Sequence, residues 1–302
     1  MVEAGRLGEL LDMLRESMVE EEKVKAYLGG RGLRLGGIVI VEDFKGPLAV
    51  LGDIHGDYAT FSKILDDIDG EGVVASGLLV LLGDYVDRGP PEGQVETLAR
   101  IAELKIEMGG RLIALRGNHE PPENLIPYPH DYPYALERLF GRNKALELYR
   151  KSIAVFNSLP HALILKGKAL LLHGGPPTKP AESLEDYLGW DRRIEVLEEI
   201  LWNDPTELVE TRAPSPRGAG SLWGRRVTDK ALSITGTSII VRGHEPALEG
   251  YKFNHGRRIL TLFSRLGEPY FNAAAAYIVC SSVEELSPQN VDRCLRLAPS
   301  SI

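Results

Sequence analysis

Three apolar runs in this chain end in the same way. Leu48 to Leu51, Leu78 to Leu82 and Leu112 to Leu115 carry no charge, and each is followed within two residues by a glycine: Gly52, Gly83 and Gly117. A short run without polar alternation fits a strand buried on both faces, and the glycine turns it into a tight loop. Polar residues crowd directly behind each glycine. They read Asp53-Ile54-His55-Gly56, then Asp84-Tyr85-Val86-Asp87-Arg88-Gly89, then Asn118-His119-Glu120. Two later blocks, His173-Gly174-Gly175 and Gly243-His244-Glu245, have the same character. Side chains at successive strand ends share one edge of an α/β sheet, where such folds place their chemistry.

Helical and apolar segments alternate through the rest of the chain, as in βαβ units. Helices are expected over Ala59 to Ile68, Gly93 to Met108 and most of Tyr134 to Phe156. Ala162 to Leu165 and Ala169 to Leu172 read as a hairpin around Gly167, and Ser238 to Val241, Arg258 to Phe263 and Ala274 to Val279 as further strands. Residues 121 to 133 hold too many prolines for a regular element. Leu7, Leu10, Leu11, Leu14 and Met18 recur at helical spacing, so residues 5 to 28 are expected to form an amphipathic helix packed on the domain. The glycine-rich stretch 29 to 37 reads as a flexible connection. It is no dinucleotide fingerprint, because Leu35 stands where a third glycine is needed. The expected organisation is therefore 1–37 as N-terminal helix and connection, 38–286 as a single catalytic domain, and 287–302 as a polar, peripheral tail.

The chain has 302 residues, and 43% of them are hydrophobic, enough for one large core. A net charge of −8 argues against nucleic acid as a partner, since binding phosphate backbones needs excess Lys and Arg. No apolar run approaches the length of a membrane span, and residues 1 to 28 lack a signal-peptide core, so a cytoplasmic location is expected. Cys280 and Cys294 are the only cysteines. Cys280 ends an apolar run and reads as a buried free thiol, with a bridge to Cys294 as the less favoured alternative.

The five blocks, in this order, resemble the signatures of the phosphoprotein phosphatase family of serine/threonine phosphatases. GDxHG appears as Gly52 to Gly56, GDxVDRG as Gly83 to Gly89 and GNHE as Gly117 to Glu120. The likeness extends through Phe156-Asn157-Ser158-Leu159-Pro160, Trp202-Asn203-Asp204-Pro205, Arg217-Gly218 and Thr261-Leu262-Phe263-Ser264, covering roughly residues 45 to 282. Periodicity alone says only "α/β". The resemblance implies the calcineurin-like metallophosphoesterase sandwich of two mixed β-sheets flanked by helices, and the loops point to a prokaryotic, archaeal-type member.

The resemblance also implies roles. Asp53, His55 and Asp84 would hold one metal, and Asn118, His173 and His244 a second, with Asp84 bridging. An oxygen-and-imidazole set without thiolate suits two divalent ions such as Mn, with Fe or Zn as alternatives. His119 would protonate the leaving oxygen while Asp87 holds its imidazole, an arrangement that fixes the tautomer and raises the pKa. Arg88, Arg217 and Asn118 would bind the substrate phosphate. Taken singly, each of these residues has a structural reading: turn Asp, turn Asn, buried His, solvated Arg. Six coincidences at matching spacing are much harder to accept. Arg212, Arg225 and Arg226 compete with Arg217. His161 reads as structural, His255 as a turn, and His130 as a surface-loop residue near the site.

The loop 264 to 272 departs from the eukaryotic pattern. It is two residues shorter, lacks a cysteine and displaces its tyrosine, so Tyr270 is not expected to serve as the cleft tyrosine. Phosphoproteins are the expected substrates, and no regulatory subunit can be inferred. Two other readings compete: a diadenosine tetraphosphate hydrolase on the same fold, and a scaffold protein that has lost catalysis. The second conflicts with the complete set of ligands and acid.

Overall fold

Each of the apolar runs forms a strand, and a computed structural model of the chain shows why they must be apolar throughout. It describes residues 2–24, 32–179, 181, 183–189 and 193–299. Helix α1 (Ala4–Val24) leads to a hairpin of β1 (Gly32–Leu35) and β2 (Ile38–Val41). Three strand-to-loop units follow: β3 (Leu48–Leu51) with α2 (Tyr58–Gly70) and the short α3 (Val73–Ser76), β4 (Leu78–Leu81) with α4 (Pro91–Met108), and β5 (Leu112–Ala114) with α5 (Tyr132–Phe140) and α6 (Arg142–Phe156). Then come the hairpin β6 (Ala162–Leu165) and β7 (Ala169–Leu172), helices α7 (Leu184–Leu188) and α8 (Ile194–Trp202), and the short strands β8 (Asp204–Pro205), β9 (Arg212–Pro214) and β10 (Ser221–Trp223). The chain continues through α9 (Arg225–Thr235), β11 (Ile239–Arg242), β12 (Tyr251–Asn254), β13 (Ile259–Leu262), β14 (Ala274–Cys280) and β15 (Leu295–Pro299).

Two mixed sheets result. One has the order β1-β2-β6-β7-β11-β13-β12 and the other β15-β14-β3-β4-β5, and β8-β10-β9 form a small third sheet. Within the five-stranded sheet β3, β4 and β5 run parallel, so their C-terminal ends lie along one edge. Alternate side chains on each strand serve different layers. Leu48, Val50, Leu78, Val80 and Ile113 meet Val39, Leu163, Leu171, Val241 and Leu260 of the other sheet. Ala49, Leu51, Leu79, Leu81 and Leu112 instead pack with residues of α1, α2, α4, α5 and α6. Ile38, Ile164, Leu170 and Ile240 pack with residues of α7, α8 and α9 on the far side. A strand covered on both faces cannot afford polar alternation, since each buried Leu or Val contributes roughly 1.5–3 kcal/mol relative to exposure. Helix, sheet, sheet, helix is the order of layers, as the resemblance implies.

Four expectations change. Cys280 and Cys294 form a disulfide, correcting the free-thiol reading, because the turn before β15 brings the two Cα atoms to 4.7 Å. The tail is not peripheral over its described part: β15 pairs antiparallel with β14 from Ala274↔Pro299 to Ile278↔Leu295. Residues 32–35 of the expected connection form β1, registered on β2 with Leu35 opposite Ile38, whereas residues 25–31 lie outside the described ones. The helix expected over Tyr134 to Phe156 is two helices, parted at Gly141, whose φ of 75° an L-residue rarely adopts.

Candidate active site

The polar blocks meet where the strands of both sheets end. Asp53 and His55 follow β3, Asp84, Asp87 and Arg88 follow β4, and Asn118 and His119 follow β5. His173 follows β7 and His244 follows β11, so the second sheet supplies the opposite wall. Close backbone approach makes the gathering possible. A Cβ on Gly117 would stand 2.2 Å from the Asp84 nitrogen, and one on Gly243 would stand 2.4 Å from Asp53 Oδ1.

The loops here are bent into left-handed backbone at His55, Asp84, Asp87, Arg88 and His244, with φ between 45° and 70°. Such residues cost of order 1–3 kcal/mol each and persist only when their surroundings over-determine them. Glu120, fully buried, does much of that. Its carboxylate accepts from the backbone N–H of Asp84 and Tyr85 at 2.8 Å and of Gly117 at 3.1 Å. Burial and the Asp84 charge push this carboxyl up to about 7, while the N–H groups of Tyr85 and Asp84 pull the other way. Gln94 adds a second brace, accepting from Asp87 N and donating to Gly89 O.

All six residues read as ligands converge, and their atoms point acceptors at one another. His55 donates Nδ1–H to Val86 O, and His173 donates Nδ1–H to Leu82 O. In its neutral form each ring therefore turns a bare Nε2 inward. His55 Nε2 stands 3.3 Å from Asp84 Oδ2 and 3.8 Å from Asp53 Oδ2. His173 Nε2 stands 3.3 Å from Asp84 Oδ1 and 2.8 Å from Asn118 Oδ1, which also lies 2.8 Å from His244 Nδ1. His244 Nε2 is buried without a hydrogen-bond partner among the described residues, Asp204 Oδ1 being 3.9 Å away. Lone pairs facing lone pairs across a buried space are the signature of a cation site, because a cation turns each repulsion into a bond. The group Asp84, His173 and His244 and the group His55, Asp84 and His119 each bring ligand atoms within 4.8 Å of one another. Asp84 is common to both groups.

The carboxylates make this pocket favour positive charge. Burial opposes charge on His55 and His173, yet Asp84 and then Asp53 lift both imidazoles above their ordinary value. Burial, joined by Arg217, His173 and Arg242, keeps His244 neutral well below its usual value. Burial and Asp84 raise Asp53, so the two carboxylates strain against each other.

Beside this cluster, His119 Nδ1 lies 2.5 Å from Asp87 Oδ2. Burial works against ionising Asp87, but donors from His119 and His130 hold its carboxyl far below the usual range. Its other oxygen accepts from the backbone N–H of Asp131 and Tyr132 at the start of α5. Asp87 makes none of these bonds with Arg88. With Nδ1 committed, His119 keeps Nε2 for the cleft that it lines together with His55, Asp84, Asn118 and His244. Burial depresses its own pKa, against the pull of Asp84 and Asp87.

That cleft holds about 470 Å³ and has Arg88 and Arg217 on its walls. Arg88 Nη1 donates to Pro129 O, and Arg217 Nε donates to Asp204 Oδ2 at 2.6 Å. Arg212, Arg225 and Arg226 do not line it; Arg212 turns to Ser221 and Arg226 to Glu210. Asp204 also accepts from the buried Arg242, which in turn pairs with Glu245. The wall is thus a chain of alternating charges in which Arg217 is the exposed end.

Several residues were missed or misread. Tyr270 does reach the cleft: the shortened loop, closed by Asn272 Nδ2 donating to Arg265 O and Ala274 O, lays its ring on His55 at 5.9 Å and 25°. His130 is not a surface residue but one of the donors to Asp87. Glu120 and Asp204 lay inside recognised blocks, and only their burial shows what they do. His161 is structural as expected, with Nε2 bound to Leu188 O. His255 is a turn residue, but a buried one, held by Thr228 and Thr206.

This geometry is that of a phosphoesterase, and sequence comparison agrees. The profile of the calcineurin-like phosphoesterases matches residues 46–248, and the chain belongs to that family. A relative in Encephalitozoon cuniculi, named for the serine/threonine-protein phosphatases, is 32% identical over 236 residues, 75% of this chain and 48% of its own. A Caenorhabditis elegans relative named for the same class is 33% identical over 242 residues, 78% of this chain and 62% of its own. The chain thus spans about half to three-fifths of these relatives. Among solved structures, a protein serine/threonine phosphatase from Saccharomyces cerevisiae superposes with a TM-score of 0.78 at 21% identity, over 98% of this chain and 89% of its own. A cold-active protein tyrosine phosphatase shares the fold at a TM-score of 0.54 and 16% identity, over 85% of this chain and 77% of its own. Among the described residues no helix is long and apolar enough to cross a membrane.

Proposed function

We propose that the chain is a metal-dependent serine/threonine phosphoprotein phosphatase. The observation that carries this is the pairing of a buried acceptor cluster with an imidazole whose free nitrogen opens on the same cleft. Asp53, His55 and Asp84 would hold one divalent ion, and Asn118, His173 and His244 another, with Asp84 shared. Bound there, two ions, manganese first with iron or zinc as alternatives, supply the charge that lowers the pKa of a water and aligns it with the phosphorus–oxygen bond. Arg88 and Arg217 present guanidinium forks to the phosphoryl oxygens, and Asn118 carries an amide toward the same place. The water oxygen joins phosphorus, the bond to the seryl or threonyl oxygen breaks, and His119 gives its Nε2 proton to that oxygen. Asp87 keeps the imidazole upright and stabilises its charged form before the transfer. Relatives named as serine/threonine phosphatases favour a seryl or threonyl leaving group over a dinucleotide.

The test is a side-by-side assay of phosphoserine peptide, phosphotyrosine peptide and diadenosine tetraphosphate with added Mn. Phosphoserine turnover well above the other two is expected. A preference for the dinucleotide would replace this reading with the hydrolase that shares the fold.

A further inference from the structure

The Asp87 carboxylate serves two histidines. His119 Nδ1 and His130 Nδ1 meet the same oxygen, Oδ2, at 2.5 and 2.7 Å. An ionised carboxylate only accepts, so both rings carry their proton on Nδ1. His130 then has a bare Nε2, and the Tyr149 hydroxyl, 3.0 Å away, donates to it. Burial and the nearby Asp87 raise the Tyr149 hydroxyl above its ordinary value, which keeps that proton in place. Donation converges on Asp87: Tyr149 donates to His130, His130 donates to Asp87, and His119 donates to the same carboxylate oxygen.

The extra histidine has a mechanical consequence. Two backbone N–H groups, from Asp131 and Tyr132, hold Oδ1 of Asp87. Bonds at one oxygen leave the carboxylate free to hinge about it. A donor at Oδ2 fixes the plane, and the plane aims the imidazole that hangs from Oδ2. The His130 side chain is 7% exposed and comes from the loop that also holds Arg88, through Pro129 O and Asp131 Oδ1.

We propose that His130, backed by Tyr149, is a positioning residue for the acid: it locks the Asp87 carboxylate so that His119 is aimed at the leaving oxygen. The proposal rests on the reading of His119 as that acid. It concerns proton delivery, so its effect scales with how much the leaving group needs a proton.

Turnover of phosphoserine peptide and of nitrophenyl phosphate by manganese-saturated enzyme tests it, using His130→Phe, His130→Asn, Tyr149→Phe and His119→Gln, each checked by thermal melting. Asn places a donor near the position of Nδ1, whereas Phe places none. His130→Phe is expected to lower phosphoserine kcat about 10–100-fold, the usual cost of losing an outer partner of a functional imidazole, with KM unchanged and nitrophenyl phosphate nearly unaffected. His130→Asn should recover most of the loss, and Tyr149→Phe should show a smaller loss of the same selectivity. Equal losses on both substrates, full activity of His130→Phe, or an Asn variant as poor as Phe would overturn the proposal. His119→Gln separates the two failures. If its losses are selective for phosphoserine and those of His130→Phe are not, only the role of His130 falls. If its losses are unselective, the acid assignment falls and this proposal with it.

Discussion

Asp87→Asn probes the proposed acid, His119, without disturbing shape. The native carboxylate takes four donors: two backbone N–H groups on Oδ1 and two imidazole N–H groups on Oδ2. A carboxamide can accept on one side only. The backbone donors cannot move, so the amide oxygen turns to Asp131 and Tyr132, and its NH₂ faces His119 and His130. Left there unchanged, two donors would oppose two donors, at ~1–3 kcal/mol for each unsatisfied group. The rings have a cheaper answer, which is to move their protons to Nε2 and accept from the NH₂ on Nδ1. Tyr149 then rotates to accept from His130. Every bond is restored with reversed polarity, so the folding cost should be only ~1–2 kcal/mol. The chemistry does not survive. His119 is now neutral with Nδ1 occupied by a donor, and it cannot become the imidazolium that releases a proton easily. A wrong tautomer of this kind lowers kcat by about 10⁴ in Ser-His-Asp triads. A general acid as a whole is worth about 10²–10⁴, or ~3–5 kcal/mol of barrier. Phosphoserine turnover should therefore fall by at least ~10²-fold, and nitrophenyl phosphate distinctly less, because a nitrophenolate hardly needs the proton. Steady-state kinetics with both substrates, plus urea unfolding of the same preparations, gives both quantities. An unfolding loss above ~4 kcal/mol, or equal kinetic losses on both substrates, would refute the tautomer argument.

Other outcomes follow from the same geometry. Chelator should abolish activity and Mn restore it best, with Asp84→Asn the most damaging ligand change because Asp84 faces both histidine groups; activity in rigorously metal-stripped protein would overturn this. Arg88→Ala should cost ~2–4 kcal/mol in kcat/KM and weaken inhibition by inorganic phosphate, read from product-inhibition constants; unchanged inhibition would shift the role to Arg217. The Cys280–Cys294 bridge closes a loop over a sequence separation of 14, so a Cys280→Ala/Cys294→Ala variant, or reduction of the native protein, should lower stability by ~3 kcal/mol in urea unfolding. A midpoint insensitive to reductant would show that the bridge does not form in solution.

Much of the site was legible in the sequence because its signals are local. An apolar run with no alternation says that a strand is covered on both sides, and a glycine behind it says that the chain turns there. Asp53, Asp84 and Asn118 could be placed at strand ends on those grounds, and the family resemblance completed the set with His173 and His244. The resemblance, not the periodicity, supplied the two-sheet architecture, since strand periodicity records burial and not which sheet a strand joins.

What the sequence could not show depends on partners distant along the chain. Nothing near His130 distinguishes it from a histidine on a surface loop; its role comes from Asp87, 43 residues earlier, and the prolines that excluded regular structure said nothing about where the loop runs. Tyr270 sits in a loop of altered length, and only the folded loop, pinched at Asn272, shows that its ring still reaches His55. Cys294 pairs with Cys280 because β15 joins the edge of β14, a pairing decided by packing and not by local preference. The sequence determined which residues gather at the candidate site, because strand ends and turns are written in adjacent residues. The tertiary structure decided how they are aimed, because orientation is fixed by hydrogen bonds across the chain that no local pattern encodes.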